Sequence, residues 1–144
     1  MAVSSTFRYA LIALIEVAKI RETGGVLQIE EIASQQHLPT KYLGQILTLL
    51  RKQGFLISQR GRHGGYRLAR EPWQIRLIDI YYSLEEAQQA GASLPSHATS
   101  SAMVVDQLLH QIEAAWREPL EHYTLQDLRD QAEGLSDRSR MFYI

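Results

Sequence analysis

Apolar residues recur at helical spacing through most of the chain and give way once to a pair of short β-prone runs. Phe7, Ala10, Leu11, Leu14, Ile15 and Ala18 follow the i, i+3, i+4, i+7 pattern of an amphipathic helix. Ser4 or Ser5 can cap this helix, and Gly24-Gly25 ends the segment after it. Val26-Leu27-Gln28 is a short extended candidate. A second helix is expected from Ile29, with Glu30 and Glu31 in a first turn whose dipole favours carboxylates. Pro39 disfavours helix at Leu38, so residues 36–40 read as a break. Thr40 is a good N-cap for a third helix. There Leu43, Ile46, Leu47 and Leu50 form the inward stripe, while Lys41, Tyr42, Gln45 and Thr48 fall on the other face. Two short helices joined by a tight turn, the second presenting polar side chains, form the helix-turn-helix pattern.

Gly54 ends the third helix. Residues 55–60 and 66–69 then read as two strands, joined by the glycine-rich tip Gly61-Arg62-His63-Gly64-Gly65. A basic hairpin directly after a helix-turn-helix makes a winged helix. Residues 75–84 are expected to be helical, and residues 86–101, rich in small and polar side chains, to be mostly loop. A long amphipathic stretch follows, with Val104, Val105, Leu108, Leu109, Ile112, Ala115 and Trp116 apolar. Pro119 is expected to end or kink it. Thr124 with Asp127 resembles a capping box for a last helix over 125–133, which Gly134 can terminate. Residues 135–144 read as a frayed tail, although Met141-Phe142-Tyr143-Ile144 offers apolar side chains for docking.

The expected fold class is mainly α with one small β-hairpin. Residues 1–84 form a winged helix-turn-helix domain and 85–103 an effector loop. Residues 104–134 hold a long dimerisation helix and a C-terminal helix, and 135–144 the tail. So small a domain leaves the apolar stripe of the long helix uncovered. A second copy can bury it through Val105, Leu108, Leu109, Ile112 and Trp116, and two-fold dimers match two DNA half-sites.

Charge sharpens this picture. The net charge is −1, but residues 1–83 carry eleven Lys/Arg against six Asp/Glu, and residues 84–144 four against ten. Between Glu31 and Glu71 there is no acidic residue, while Lys41, Arg51, Lys52, Arg60, Arg62, Arg67 and Arg70 all lie there. A basic face on one module fits a polyanion. The bland alternative is a solvated surface with chance clustering.

A helix in the major groove presents its N-terminal side chains to base edges. Thr40, Lys41, Tyr42 and Gln45 occupy those positions. Gln45 suits adenine, Lys41 guanine or a phosphate, and Thr40 a phosphate. Gly44 lowers helix propensity by about 1 kcal/mol relative to Ala; it reflects either close approach of DNA or simple tolerance. Arg60 and Arg62 flank Gly61, and His63 precedes Gly64 and Gly65. Arginine on so thin a tip suits a narrow minor groove. Arg51 and Lys52 would clamp phosphates.

At these residues the chain resembles the Rrf2 family of bacterial regulators. The resemblance is carried by Phe7-Arg8-Tyr9-Ala10-Leu11, Glu31-Ile32-Ala33, Lys41-Tyr42-Leu43-Gly44-Gln45-Ile46-Leu47, Leu50-Arg51-Lys52-Gln53-Gly54 and, most specifically, the stretch from Arg60 to Ala69. Thr124-Leu125-Gln126-Asp127-Leu128 looks like the segment after the family's long helix. The resemblance implies a winged-helix dimer that binds double-stranded DNA and regulates transcription. It implies DNA contacts at Thr40, Lys41, Tyr42 and Gln45, and across the wing at Arg60, Gly61, Arg62, His63, Gly64 and Tyr66. The family commonly has glutamate where Gly44 stands, and Gly-Pro-Gly-Gly-Gly where this chain has Gly61-Arg62-His63-Gly64-Gly65. Many members hold an iron–sulfur cluster on three cysteines in the loop after the fourth helix. This chain has no cysteine and resembles the branch that senses a small molecule or a partner protein.

The absence of cysteine also excludes disulfides, thiolate nucleophiles and cysteine-ligated metal. No cofactor or metal is expected. His97 and His110 are the candidate ligands, but the five histidines lack metal-site spacing. No nucleophile with base and orienting acid is evident, so no enzyme is expected. Asp106 and His110 read as an i, i+4 salt link. No apolar run spans a membrane and no signal peptide is expected, which suggests a cytoplasmic location. The competing reading is a winged-helix interaction module whose basic face binds an acidic protein.

Overall fold

The computed structural model describes residues 4–89 and 99–142. Its elements run α1 (Ser5–Arg21), α2 (Ile29–Gln36), α3 (Thr40–Lys52), β1 (Leu56–Gln59) and β2 (Gly65–Leu68). A 3-10 turn at Pro72–Gln74 then leads to α4 (Leu77–Gln89), α5 (Ser100–His122) and α6 (Leu125–Phe142). Helix α1 starts where the Ser4 hydroxyl accepts from the Phe7 amide at 3.2 Å. It buries Phe7, Ala10, Ala13, Leu14, Val17 and Ala18. The small alanines let α2, α3, α4, α6 and β2 pack around it, so α1 is the centre of the core.

Helix α2 ends at His37, whose φ of 55° is left-handed, and the Leu38 amide donates back to the Ala33 carbonyl at 3.0 Å. That reversal buries Leu38 and sends α3 across the core on Leu43, Ile46, Leu47 and Leu50. Strands β1 and β2 are antiparallel, with the buried Leu56 opposite the buried Leu68 and Ile57 opposite Arg67. Leu27 forms a bridge with Tyr66, so the short extended piece before α2 becomes a third edge of the wing.

Several boundaries differ from those expected. Helix α4 starts at Leu77 rather than Ile75, because the Ile75 carbonyl accepts from Leu125 N and Leu77 N donates to the Tyr123 carbonyl. This stretch is tied to the α5–α6 junction before it turns helical. At its other end α4 runs to Gln89, into the expected loop. Pro119 does not end α5. Its missing N–H removes one bond, but Leu120 packs on the core and the Pro119 carbonyl accepts from Tyr123 N at 3.1 Å. Gly134 does not end α6, which continues to Phe142 through the expected tail. A glycine lowers helix propensity without forbidding a helix. The expected docking of residues 141–144 falls outside the described side chains. The Thr124–Asp127 box is formed: Thr124 N donates to Asp127 Oδ2 at 2.8 Å and Asp127 N to Thr124 Oγ1 at 3.4 Å.

Candidate nucleic-acid interface

Helix α3 carries the first half of the site. Pro39 (φ −65°, ψ 122°) stands at the N-cap and its carbonyl accepts from Leu43 N at 2.9 Å. Thr40 is therefore the first helical residue rather than the cap that was expected, and no side chain caps α3. Its buried stripe sits at i, i+3, i+4 and i+7, which leaves Thr40, Lys41, Gln45, Arg51 and Lys52 exposed on the outer side. Tyr42 is different. It is half-buried, stands edge-on to Tyr9 at 5.5 Å, and shares a hydrogen bond with the Thr6 hydroxyl. Thr48 spends its hydroxyl on the Gly44 carbonyl at 2.9 Å.

The hairpin supplies the second half. Arg60, Gly61, Arg62 and His63 are exposed at the tip, and Tyr66 is half-buried against Leu27. Gly64 is buried: a Cβ there would lie 2.3 Å from the Gln59 carbonyl oxygen, so only glycine closes this tip. Behind the wing Arg21 donates to the Leu68 carbonyl at 3.1 Å and to Glu71 Oε1 at 2.6 Å. The sequence gives no local signal for this brace, because Arg21 and Glu71 lie fifty residues apart.

Helix α2 joins the two halves. Gln28, Ile29 and Glu30 line an open groove with Ser58, Gln59, Gly61, Gly64, Gly65 and Tyr66. The same Ile29 reaches toward Gly44, where a Cβ would meet its Cδ1 at 3.9 Å. Helix α3, the α2 N-terminus and the wing are thus neighbours on one surface. Among the described residues Lys41, Arg51, Lys52, Arg60, Arg62 and Arg67 are all exposed and none takes part in an ion pair. The cations off this surface are mostly neutralised: Lys19 by Glu16, Arg76 by Asp79, Arg117 by Glu121, and Arg129 by Glu22 and Asp130.

Helix α5 has no buried residue among those described. Val105, Leu108, Leu109 and Ile112 are exposed, Leu108 by 54%. Trp116 is placed otherwise: it packs at 4.8 Å against Tyr81 and at 6.4 Å against Phe7 of its own chain. Asp106 and His110 line one shallow groove on α5, but among the described residues no ion pair joins them. His97 lies outside the described residues. Among the described residues no three His, Cys, Asp or Glu side chains gather to hold a metal. No described helix is long and apolar enough to cross a membrane.

A helix-turn-helix followed by a basic two-stranded hairpin defines a winged helix-turn-helix protein. The chain matches the model of the Rrf2 family, described as an iron-dependent transcriptional regulator, over residues 3–131. It belongs to that family. It is 33% identical to the transcriptional regulator CymR of Bacillus subtilis over 144 residues, all of both chains. It is 35% identical to the regulator IscR of Cereibacter sphaeroides over 91 residues, which are 62% of this chain and 59% of that one. Thus the match spans about three-fifths of IscR. Among solved structures, IscR of T. potens superposes with a TM-score of 0.75 and 31% identity, covering 94% of this chain and 90% of that one. CymR of B. subtilis gives 0.71 and 31%, covering 91% and 98%. The family description carries iron dependence, but this chain offers no thiolate, so the donor set for a cysteine-ligated cluster does not fit.

Proposed function

We propose that this chain is a transcription regulator that binds double-stranded DNA as a homodimer, reading sequence with α3 and gripping the backbone and minor groove with the wing. The observation that carries the reading is the set of exposed cations on α3 and the wing that take part in no ion pair among the described residues. Such charges gain most from displacing the counterions that surround DNA phosphates. In this reading Gln45 and Lys41 meet base edges, and Thr40, Tyr42, Arg51 and Lys52 meet phosphates and sugars. Arg60 and Arg62 enter the minor groove, with Gly61, His63, Gly64 and Tyr66 bringing the tip backbone close. The apolar face of α5 from Val105 to Ile112 is buried against a second copy, which sets the two recognition helices one helical turn apart. Trp116 anchors α5 to its own domain at the edge of that interface. An effector, small molecule or protein, acts without a cysteine-ligated cluster.

Selection of bound fragments from a random-sequence duplex pool with purified protein tests this reading. It is expected to return a motif with two-fold symmetry. Failure to retain any duplex at low salt, together with a nuclease-resistant complex with an acidic protein, would overturn it.

A further inference from the structure

We propose that Thr6, on the first turn of α1, is a positioning residue for duplex binding: it holds the Tyr42 phenol so that the hydroxyl pair turns one O–H toward a DNA phosphate. The inference deepens the DNA reading above and rests on it. Thr6 Oγ1 lies 2.5 Å from Tyr42 Oη, across 36 residues of sequence. Each hydroxyl carries one proton, and one of the two is used between them. Whichever oxygen donates, the pair keeps one O–H for an outside acceptor. A phosphodiester offers only acceptors, and its charge strengthens the bond it receives.

Four features suit the pair to this task. Tyr42 lies between the exposed Lys41 and the buried Leu43, with Gln45 one turn on, so its half-buried ring sits at the margin of the outer face of α3. Tyr9, edge-on at 5.5 Å and 82°, limits the swing of the ring. Thr6 is not needed as the cap of α1, because the Ser4 hydroxyl already accepts from Phe7 N. The first turn of α1 also carries no acidic residue that would repel a phosphate.

The test compares Thr6→Val, Thr6→Ser, Tyr42→Phe and the double variant Thr6→Val with Tyr42→Phe. Two probes are used: a duplex selected by the wild-type protein and a random-sequence duplex at low salt. Thr6→Val and Tyr42→Phe are each expected to weaken binding about tenfold, the scale of a hydrogen bond to a charged group. The double variant should lose little more than Tyr42→Phe alone, because the two groups act as one. Thr6→Ser keeps the hydroxyl and should bind like wild type. The salt slope should stay that of wild type, because a neutral hydroxyl displaces no counterion. Thr6→Val that binds like wild type overturns the inference and leaves the DNA reading standing. So does a Thr6→Val protein that unfolds at lower temperature and loses as much affinity as wild type at every phosphate replaced in turn by an uncharged methylphosphonate, which would mark a purely structural contact. A wild-type protein that binds neither duplex removes both.

Discussion

Leu27 and Tyr66 exchange both of their backbone hydrogen bonds, at 2.9 and 2.8 Å, and so fasten the wing to the chain just ahead of α2. The approach is close because Gly65 has no side chain: a Cβ there would lie 2.7 Å from the Leu27 carbonyl oxygen. Gly65→Ala must push the two segments apart. It is expected to destabilise the fold by about 1–3 kcal/mol, the range for overpacking, read as a lower urea midpoint. It should also weaken duplex binding, since the wing loses its register with α2.

Gly44 has the opposite sign. A methyl group there meets only Ile29 Cδ1, at an ordinary 3.9 Å. Packing therefore does not require the glycine, and Gly44→Ala should raise stability by about 1 kcal/mol through helix propensity. The added methyl stands beside Lys41 and Gln45, so binding to a selected duplex should weaken. Undiminished affinity would show that the glycine is merely tolerated.

How far did local pattern reach? The stripe of Leu43, Ile46, Leu47 and Leu50, the hairpin and the Thr124–Asp127 box were all legible, because each depends on neighbours within a few residues. Thr40 shows the limit of such reading: its chemistry suits a cap, but Pro39 already supplies the extended N-cap backbone. Pro119 and Gly134 are breakers by propensity, and each is overridden within a helix. The Thr6–Tyr42, Arg21–Glu71 and Glu22–Arg129 contacts leave no trace in spacing, because tertiary folding alone brings them together. Trp116 was legible as apolar but not as a residue that packs on its own domain.

Tyr81 gives the fold an alkaline limit. Burial, and then the charges of Glu85, Glu113 and Tyr82, raise its pKa above the ordinary 10.0. The folded protein thus holds this proton more tightly than the unfolded chain. Its contribution is fully present below 10.0 and is lost as pH climbs through the raised folded value. Urea unfolding on both sides of that pH should show a falling midpoint for wild type. Tyr81→Phe should reduce the alkaline fall, since no proton remains to be lost at that site.

The α5 face is tested by charge. Leu108 contributes nothing to the core of its own chain. Leu108→Asp should keep wild-type helicity by circular dichroism, yet sediment as a monomer where wild type sediments as a dimer. A variant that dimerises like wild type would place the two-fold contact elsewhere.

The most direct test of DNA binding by the wing is the salt dependence of affinity for a selected duplex, measured for wild type and Arg60→Ala. Affinity should fall steeply with salt for wild type, and the slope should be smaller by about one for Arg60→Ala, as for one cation withdrawn from the phosphates that flank the minor groove. An identical slope and affinity in the two proteins, or no wild-type binding at any salt, would contradict the account.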